Sequence, residues 1–393
     1  MSKLDKRYWI ALICKIIVIL STFLISIFIN RGLGASRKGD YAYIINYVEL
    51  LYVFLSVGLG QTYATFKRSY GIAVKNTFVT LSFLHGLIII VVAIISGLFL
   101  KGNDDTTVIL FLTGIAVVRA NYSMIAVIED SIRRNIILTI ANVIYLIALF
   151  ALYLLHHITL NSVLLCYALN EIVSIVLFAI YYNFKLTLSQ LTRSIVAKIY
   201  KTGIVTMIVI LLISVNYSID IIMLKKMATS FDVGIYSVAV TFSNMFLLIP
   251  DAFKEVIFGD STDKKFSRKT AYNAIKVSFL LSVIILIGFI FLGEFAITLL
   301  YGKEYLLSYN DTLILFIGSF SMIFFKILQP IYISHGKQNK AVVFLTSSAV
   351  LNVILNYLLI PKFFGIGAAI ASAFSYTLCG FLFLIDYSRN GID

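Results

Sequence analysis

Residues 77–100 read TFVTLSFLHGLIIIVVAIISGLFL, 24 residues without a Lys, Arg, Asp, Glu or Pro. A helix needs about 20 mostly apolar residues to cross the roughly 30 Å hydrocarbon layer of a bilayer, and this run exceeds that. It is too long for a barrel strand and does not alternate, so a transmembrane β-strand is excluded. The same pattern recurs along the chain. Twelve spans are predicted: Ile10–Asn30, Tyr41–Phe66, Thr77–Leu100, Thr106–Ile128, Ile136–Leu155, Leu160–Tyr182, Thr202–Met223, Val233–Ile257, Ala274–Leu292, Thr312–Ser334, Ala341–Ile360 and Gly365–Ile385. The chain therefore reads as an all-α integral membrane protein.

Composition leads to the same class. Of 393 residues 60% are hydrophobic and 13% charged, with a mean hydropathy of +0.98. Soluble domains carry about twice that charged fraction, so no water-facing surface can be built from this chain. The three prolines leave long helical runs unbroken. Cys14, Cys166 and Cys379 sit inside apolar runs with no paired spacing, as buried small hydrophobes do. The first run starts behind Lys3, Lys6 and Arg7 like a signal peptide, yet stays apolar to Ile29 without a small-residue cleavage site. It is expected to be a retained helix.

The net charge of +13 is spread over short loops, where membrane topology explains it better than a nucleic-acid surface does. Nineteen Lys and Arg fall on one side, among them Lys67, Arg68, Arg133, Arg134, Lys185 and Lys264. Eight fall on the other, among them Arg31, Lys101, Lys303 and Lys362. Both termini are therefore expected in the cytoplasm. The longest cytoplasmic connection, Asn183–Lys201, is polar and basic and follows the sixth span. The expected organisation is an N-terminal six-helix lobe over 1–185, a linker over 186–201 and a C-terminal six-helix lobe over 202–393. Six spans return the chain to the same side, so the lobes would be parallel repeats about an axis normal to the membrane. Gly39-Asp40-Tyr41 and Gly234-Ile235-Tyr236, 195 residues apart at two helix starts, echo that repeat.

Charge at membrane depth is costly and usually faces a bundle interior or a water-filled cavity. Arg119 lies mid-span with Thr113, Ala116 and Ser123 on its face, and Glu171 lies at similar depth with Tyr167 and Ser174. Two readings stand open: an Arg119–Glu171 pair that locks the N-terminal half, or an Arg119 whose fork of donors binds phosphate. Glu49 shares a face with Tyr52, Ser56, Gly60 and Tyr63, and Asp220 shares one with Ser214 and Tyr217. Ser237, Thr241 and Asn244 stripe the eighth span, as a water-filled cleft would require; interhelical hydrogen bonding would explain the same stripes. Lys15 is close enough to the cytoplasmic interface to snorkel or to line a cavity, and Lys276 is placed to snorkel. Lys326, one turn before Gln329, is deeper. Gly365, Ala369 and Ala373 form a small-residue ridge suited to close helix packing. Trp9, Tyr181 and Tyr182 read as interfacial anchors. There is no Walker loop, metal-ligand cluster or nucleophile–base constellation, so ATP-driven transport on this chain, a cofactor, a metal site and an enzymatic role are not expected.

Several stretches resemble one family. They are Arg31-Gly32-Leu33-Gly34, Gly39-Asp40-Tyr41-Ala42, Val233-Gly234-Ile235-Tyr236-Ser237 with Leu248-Ile249-Pro250, and Leu300-Tyr301-Gly302-Lys303-Glu304-Tyr305. His335-Gly336-Lys337, Leu351-Asn352 through Asn356 to Pro361, and Gly365-Ile366-Gly367-Ala368-Ala369 continue the pattern. In order and spacing they resemble Wzx-type O-antigen and polysaccharide flippases of the multidrug/oligosaccharidyl-lipid/polysaccharide exporter superfamily. The resemblance implies movement of undecaprenyl-diphosphate-linked oligosaccharide from the cytoplasmic to the periplasmic leaflet by alternating access of two lobes, in a bacterial inner membrane. It implies that Arg119, Lys15 and Lys326 attract the diphosphate, that Glu49, Glu171 and Asp220 carry coupling H⁺ or Na⁺, and that polysaccharide-assembly proteins are partners. A drug exporter of the same superfamily is the first alternative. A membrane-embedded glycan polymerase is the second, disfavoured because no outer loop exceeds about a dozen residues.

Overall fold

The computed structural model describes residues 6–99, 104–187, 192–261 and 268–390. The loop cations Lys3, Lys101, Lys264 and Lys265, and residues 188–191 of the expected linker, lie outside them. Among the described residues the long elements are all helical: α1 Lys6–Leu55, α2 Leu59–Tyr70, α3 Lys75–Phe99, α4 Asp104–Leu154, α5 Leu160–Tyr181 and α6 Arg193–Met227. They continue with α7 Ser230–Phe246, α8 Leu248–Ser261, α9 Arg268–Leu300, α10 Ser308–Ser334 and α11 Gln338–Asn390. Outward-facing apolar side chains such as Phe99 and Phe291, each 80% exposed, are stable only against lipid. The protein is a multi-pass membrane protein.

Eight of the described helical runs are long and apolar enough to cross a membrane, or up to nine if α7 and the start of α8, bent by 42°, form one span. Three helices are far longer than one crossing: α1, α4 and α11 have 50, 51 and 53 residues. A straight helix of that length spans about 75 Å, more than twice the hydrocarbon thickness. Each carries one non-helical residue near its middle, and each break has a local cause.

In α1 the break is Gly34, at φ +68°, a conformation that a Cβ disfavours. In α4 it is Asp130, whose extended backbone lets Oδ1 accept from the amides of Ile132 (3.1 Å) and Arg133 (3.2 Å). Asp130 thus caps the helix that follows. In α11 the break is Phe364, at φ +51°, three residues after Pro361. The second expected span is further divided between α1 and α2 at Ser56–Gly58, and the freed amide of Gly60 donates to Asn121 Oδ1 at 2.9 Å.

The chain divides into two compact units: Met1–Leu33 with Ile44–Ser214, and Gly34–Tyr43 with Val215–Asp393. The border at 214/215 falls inside α6. Residues 193–201, read from the sequence as linker, are the first turns of that helix. Their periodicity explains why: Ile199 is buried and Ile195, Val196 and Tyr200 pack on the core of the first unit around Tyr63, Phe78, Tyr122 and Phe178. Arg193, Lys198 and Lys201 face outward.

The second unit is centred on Tyr236, Leu315, Ile360, Ala368 and Ala369. The ridge read from the sequence lies in close packing there, since a Cβ on Gly318 would meet the backbone of Ala373. Segment Gly34–Tyr43 is fastened into this unit at two points. Gly39 and Gly234 let two backbones touch, so that a Cβ on Gly39 would collide with the Ser230 carbonyl and one on Gly234 with the Ala35 carbonyl. Beside them Lys225 Nζ reaches Asp40 Oδ1 at 2.5 Å, and Ser230 Oγ donates to the same oxygen at 2.6 Å. The two members of the sequence echo are therefore packed on one another.

Candidate functional site

The first unit gathers three of the candidate charges. Arg119 on α4 donates from Nε to Glu171 Oε2 on α5 at 2.8 Å. The Glu171 side chain is 5% exposed and that of Arg119 26%. Among the described residues only Nε of Arg119 is engaged, leaving both terminal guanidinium nitrogens with no protein acceptor. Glu49 on α1 interacts electrostatically with both members of the pair, and Tyr52, one turn along, interacts with all three. Glu49 itself is exposed and makes no hydrogen bond or ion pair among the described residues. The result is a cluster of two carboxylates and one guanidinium, with Glu171 buried, Arg119 partly accessible and Glu49 exposed. Tyr167, on the face of Glu171, also interacts with Arg119.

Lys15 is exposed on α1. The adjacent Cys14 carbonyl is 3.4 Å from Thr139 Oγ1, on the second half of α4. Tyr182, expected as an interfacial anchor, is instead buried and donates to the Asp130 carbonyl at 2.6 Å, tying α5 to the break in α4. Tyr181 is exposed, as an anchor would be.

The second unit holds Asp220 and Lys326. Asp220, on α6, is 1% exposed. Its carboxylate accepts from Tyr236 Oη at 2.5 Å, Ser372 Oγ at 3.0 Å and the Ile221 amide at 2.8 Å. No cation neutralises it among the described residues. Ser372 leads on to Asn352 (3.4 Å), Asn352 to Ser375 (3.1 Å) and Asn356 (2.9 Å), and Ser348 to Asn216 (2.8 Å). Lys326 on α10 pairs with Asp251 on α8 at 2.9 Å and lies 5.3 Å above the Tyr217 ring. Tyr217 in turn packs against Tyr376, with ring centroids 6.0 Å apart.

Arg119, Glu171 and Glu49 are thus brought together, while Asp220 and Lys326 lie in the other unit. Sequence reasoning missed Asp251, which an inventory of acids in the eighth span would have found. It also missed the Asn352, Asn356, Ser372 and Ser375 network. That network was legible as polar residues three and four apart on the last two spans. No group of three or more potential metal-ligating side chains occurs among the described residues.

The family model for polysaccharide biosynthesis proteins matches residues 4–252. Capsular polysaccharide biosynthesis protein CapF of Staphylococcus aureus is 26% identical over 409 residues, spanning 97% of this chain and 98% of CapF. An inward-facing multidrug resistance MATE family transporter of the MOP superfamily superposes with a TM-score of 0.73 at 14% identity, over 96% of this chain and 98% of that one. Lipid II flippase MurJ, in an inward closed conformation, gives 0.69 at 16% identity, over 96% and 88%. At these identities the solved structures establish the fold alone, a helical membrane fold that this chain shares with them.

Proposed function

This chain belongs to the polysaccharide biosynthesis protein family, and from that premise we propose that it is a flippase for a lipid-linked polysaccharide precursor. The cargo in this reading is an oligosaccharide on undecaprenyl diphosphate, an O-antigen or related repeat unit. It moves from the cytoplasmic to the periplasmic leaflet of a bacterial inner membrane. Twelve crossings in two parallel six-helix lobes, with both termini cytoplasmic, provide the alternating access. A diphosphate cannot cross hydrocarbon unaided, and a cationic, hydrated path lowers that barrier.

The observation that carries the chemistry is Arg119, held by Glu171 through Nε with both terminal nitrogens open. A guanidinium oriented in this way presents parallel donors to phosphate oxygens. Glu49 supplies the coupling. With Glu49 ionised, the cluster of Glu49, Arg119 and Glu171 is net negative and repels a diphosphate. With a proton on Glu49 it is neutral and the fork can bind. Asp220, with three donors and no counter-charge among the described residues, is a second position for H⁺ or Na⁺. Lys326 is neutralised by Asp251, so phosphate would have to displace that carboxylate; Lys15 would meet cargo at the cytoplasmic end. Membership of a polysaccharide biosynthesis family weighs against drug export by the same fold.

Deleting the gene in its host should abolish the surface polymer and leave the lipid-linked intermediate accumulating in the inner leaflet. Unchanged polymer with no accumulated intermediate would sink the proposal.

A further inference from the structure

Arg134 reads in the sequence as one of two cations in a cytoplasmic loop, accounted for by topology alone. The fold makes it something else. The loop is reduced to one extended residue, Asp130, and the helix restarts at once under its cap. Arg133 turns outward, is exposed and lies 3.3 Å from Asp130 Oδ2. Arg134 turns back instead. Its Nε donates to Ser123 Oγ at 2.9 Å, and Nη1 reaches Asn135 Oδ1 at 3.2 Å.

Ser123 is 3% exposed and stands one helical turn from Arg119 on the same face of α4, about 6 Å of helix rise. The break at Asp130 therefore folds a second guanidinium onto the face that carries the first. A topological loop cation needs only to remain in water. One that is half-buried and anchored by Nε to a buried hydroxyl is held in a chosen direction instead.

Resting on the flippase reading, we propose that Arg134 is a second phosphate-binding residue on the path to Arg119. It takes the diphosphate at the cytoplasmic bend of α4, and Arg119 takes it one turn deeper. Two guanidinium groups in series match two linked phosphates better than one, so the pair would distinguish a lipid diphosphate from a lipid monophosphate. Asp130 and Ser123 act as positioning residues, the first by setting the bend and the second by orienting the Arg134 fork.

The test uses the full chain in nanodiscs, with farnesyl diphosphate and farnesyl monophosphate as probes and affinity read by microscale thermophoresis. The wild type should prefer the diphosphate. Arg134→Gln should weaken diphosphate binding about tenfold while moving the monophosphate little, since a charge-assisted contact of this kind is lost for one phosphate only. Ser123→Ala keeps both charges and should erode the same preference by releasing the fork. Thermal unfolding of each variant reports whether it is folded. Diphosphate preference intact in folded Arg134→Gln overturns the inference; should that variant not fold, intact preference in Ser123→Ala overturns it. Binding lost in Arg119→Lys but untouched in both Arg134→Gln and Ser123→Ala sinks the Arg134 role alone. A wild type that binds neither probe sinks the flippase reading beneath it.

Discussion

Asp220 is buried at 1% exposure, accepting from hydroxyls on α7 and on the second half of α11 and from the amide of its own neighbour Ile221. Replacing it with Ala strands the Tyr236 and Ser372 hydroxyls. Each unsatisfied buried donor costs about 1–3 kcal/mol, toward the lower end for a membrane interior. We predict that Asp220→Ala lowers the detergent-solubilised unfolding temperature by several degrees. Asp220→Asn keeps an acceptor in the same volume and should unfold within a degree or two of wild type. If Asp220 carries the coupling ion, the Asn variant will still lose gradient-driven flipping of a fluorescent lipid in proteoliposomes. Full gradient-driven activity in Asp220→Asn would remove Asp220 from the coupling machinery. At this scale the sequence was informative about which charges the spanning helices carry, because a charge in an apolar run has nowhere else to be; of these Glu171 and Asp220 are buried, whereas Lys15 and Glu49 are exposed. It was silent about partners. Asp251 and Lys326 are 75 residues apart, and only packing of α8 against α10 brings them to 2.9 Å.

Helices were the most legible level, and their interruptions the least. Hydropathy sees a 53-residue run such as α11 as two spans because a bilayer is only so thick. It cannot see that the divide is a single residue, Phe364, with helix on both sides. The polar stretch 193–201 misled for a related reason. Three basic residues in nine mask an amphipathic helix whose apolar side is only Ile195, Val196, Ile199 and Tyr200. The repeated Gly-x-Tyr was visible as an echo, but its physical role is contact between Gly39 and Gly234. Substituting Gly234 with Val forces branched atoms into the Ala35 carbonyl, and overpacking of this kind costs about 1–3 kcal/mol. Gly234→Val and Gly39→Val should each lower the unfolding temperature clearly. Gly288→Ala, where nothing lies within 4 Å of an added Cβ, should change it little. Equal unfolding temperatures for all three would remove the glycine contact as the fastening of segment 34–43.

For the whole molecule, the loop charges predict sidedness. Cys14, Cys166 and Cys379 are buried, so the native chain offers a quiet background for labelling. With a membrane-impermeant maleimide, Lys185→Cys should react only when the cytoplasmic face is exposed, and Lys362→Cys only from the outer face; both positions are exposed on the chain. Reaction of both from the same face would overturn the topology. Composition and hydropathy by themselves determined that this chain is all-helical and lies in a membrane, because the bilayer imposes a length and an apolarity that any spanning helix must print in its residues. Order and spacing of loose motifs carried the family resemblance. Only the tertiary structure decided that residues 34–43 pack with the second unit, that Glu171 holds Arg119 by one nitrogen and leaves two open, and that Arg134 folds back toward it. Those outcomes depend on contacts between residues 11 to 190 positions apart. Hydropathy is a local property, and such contacts exist only once the helices have chosen their neighbours.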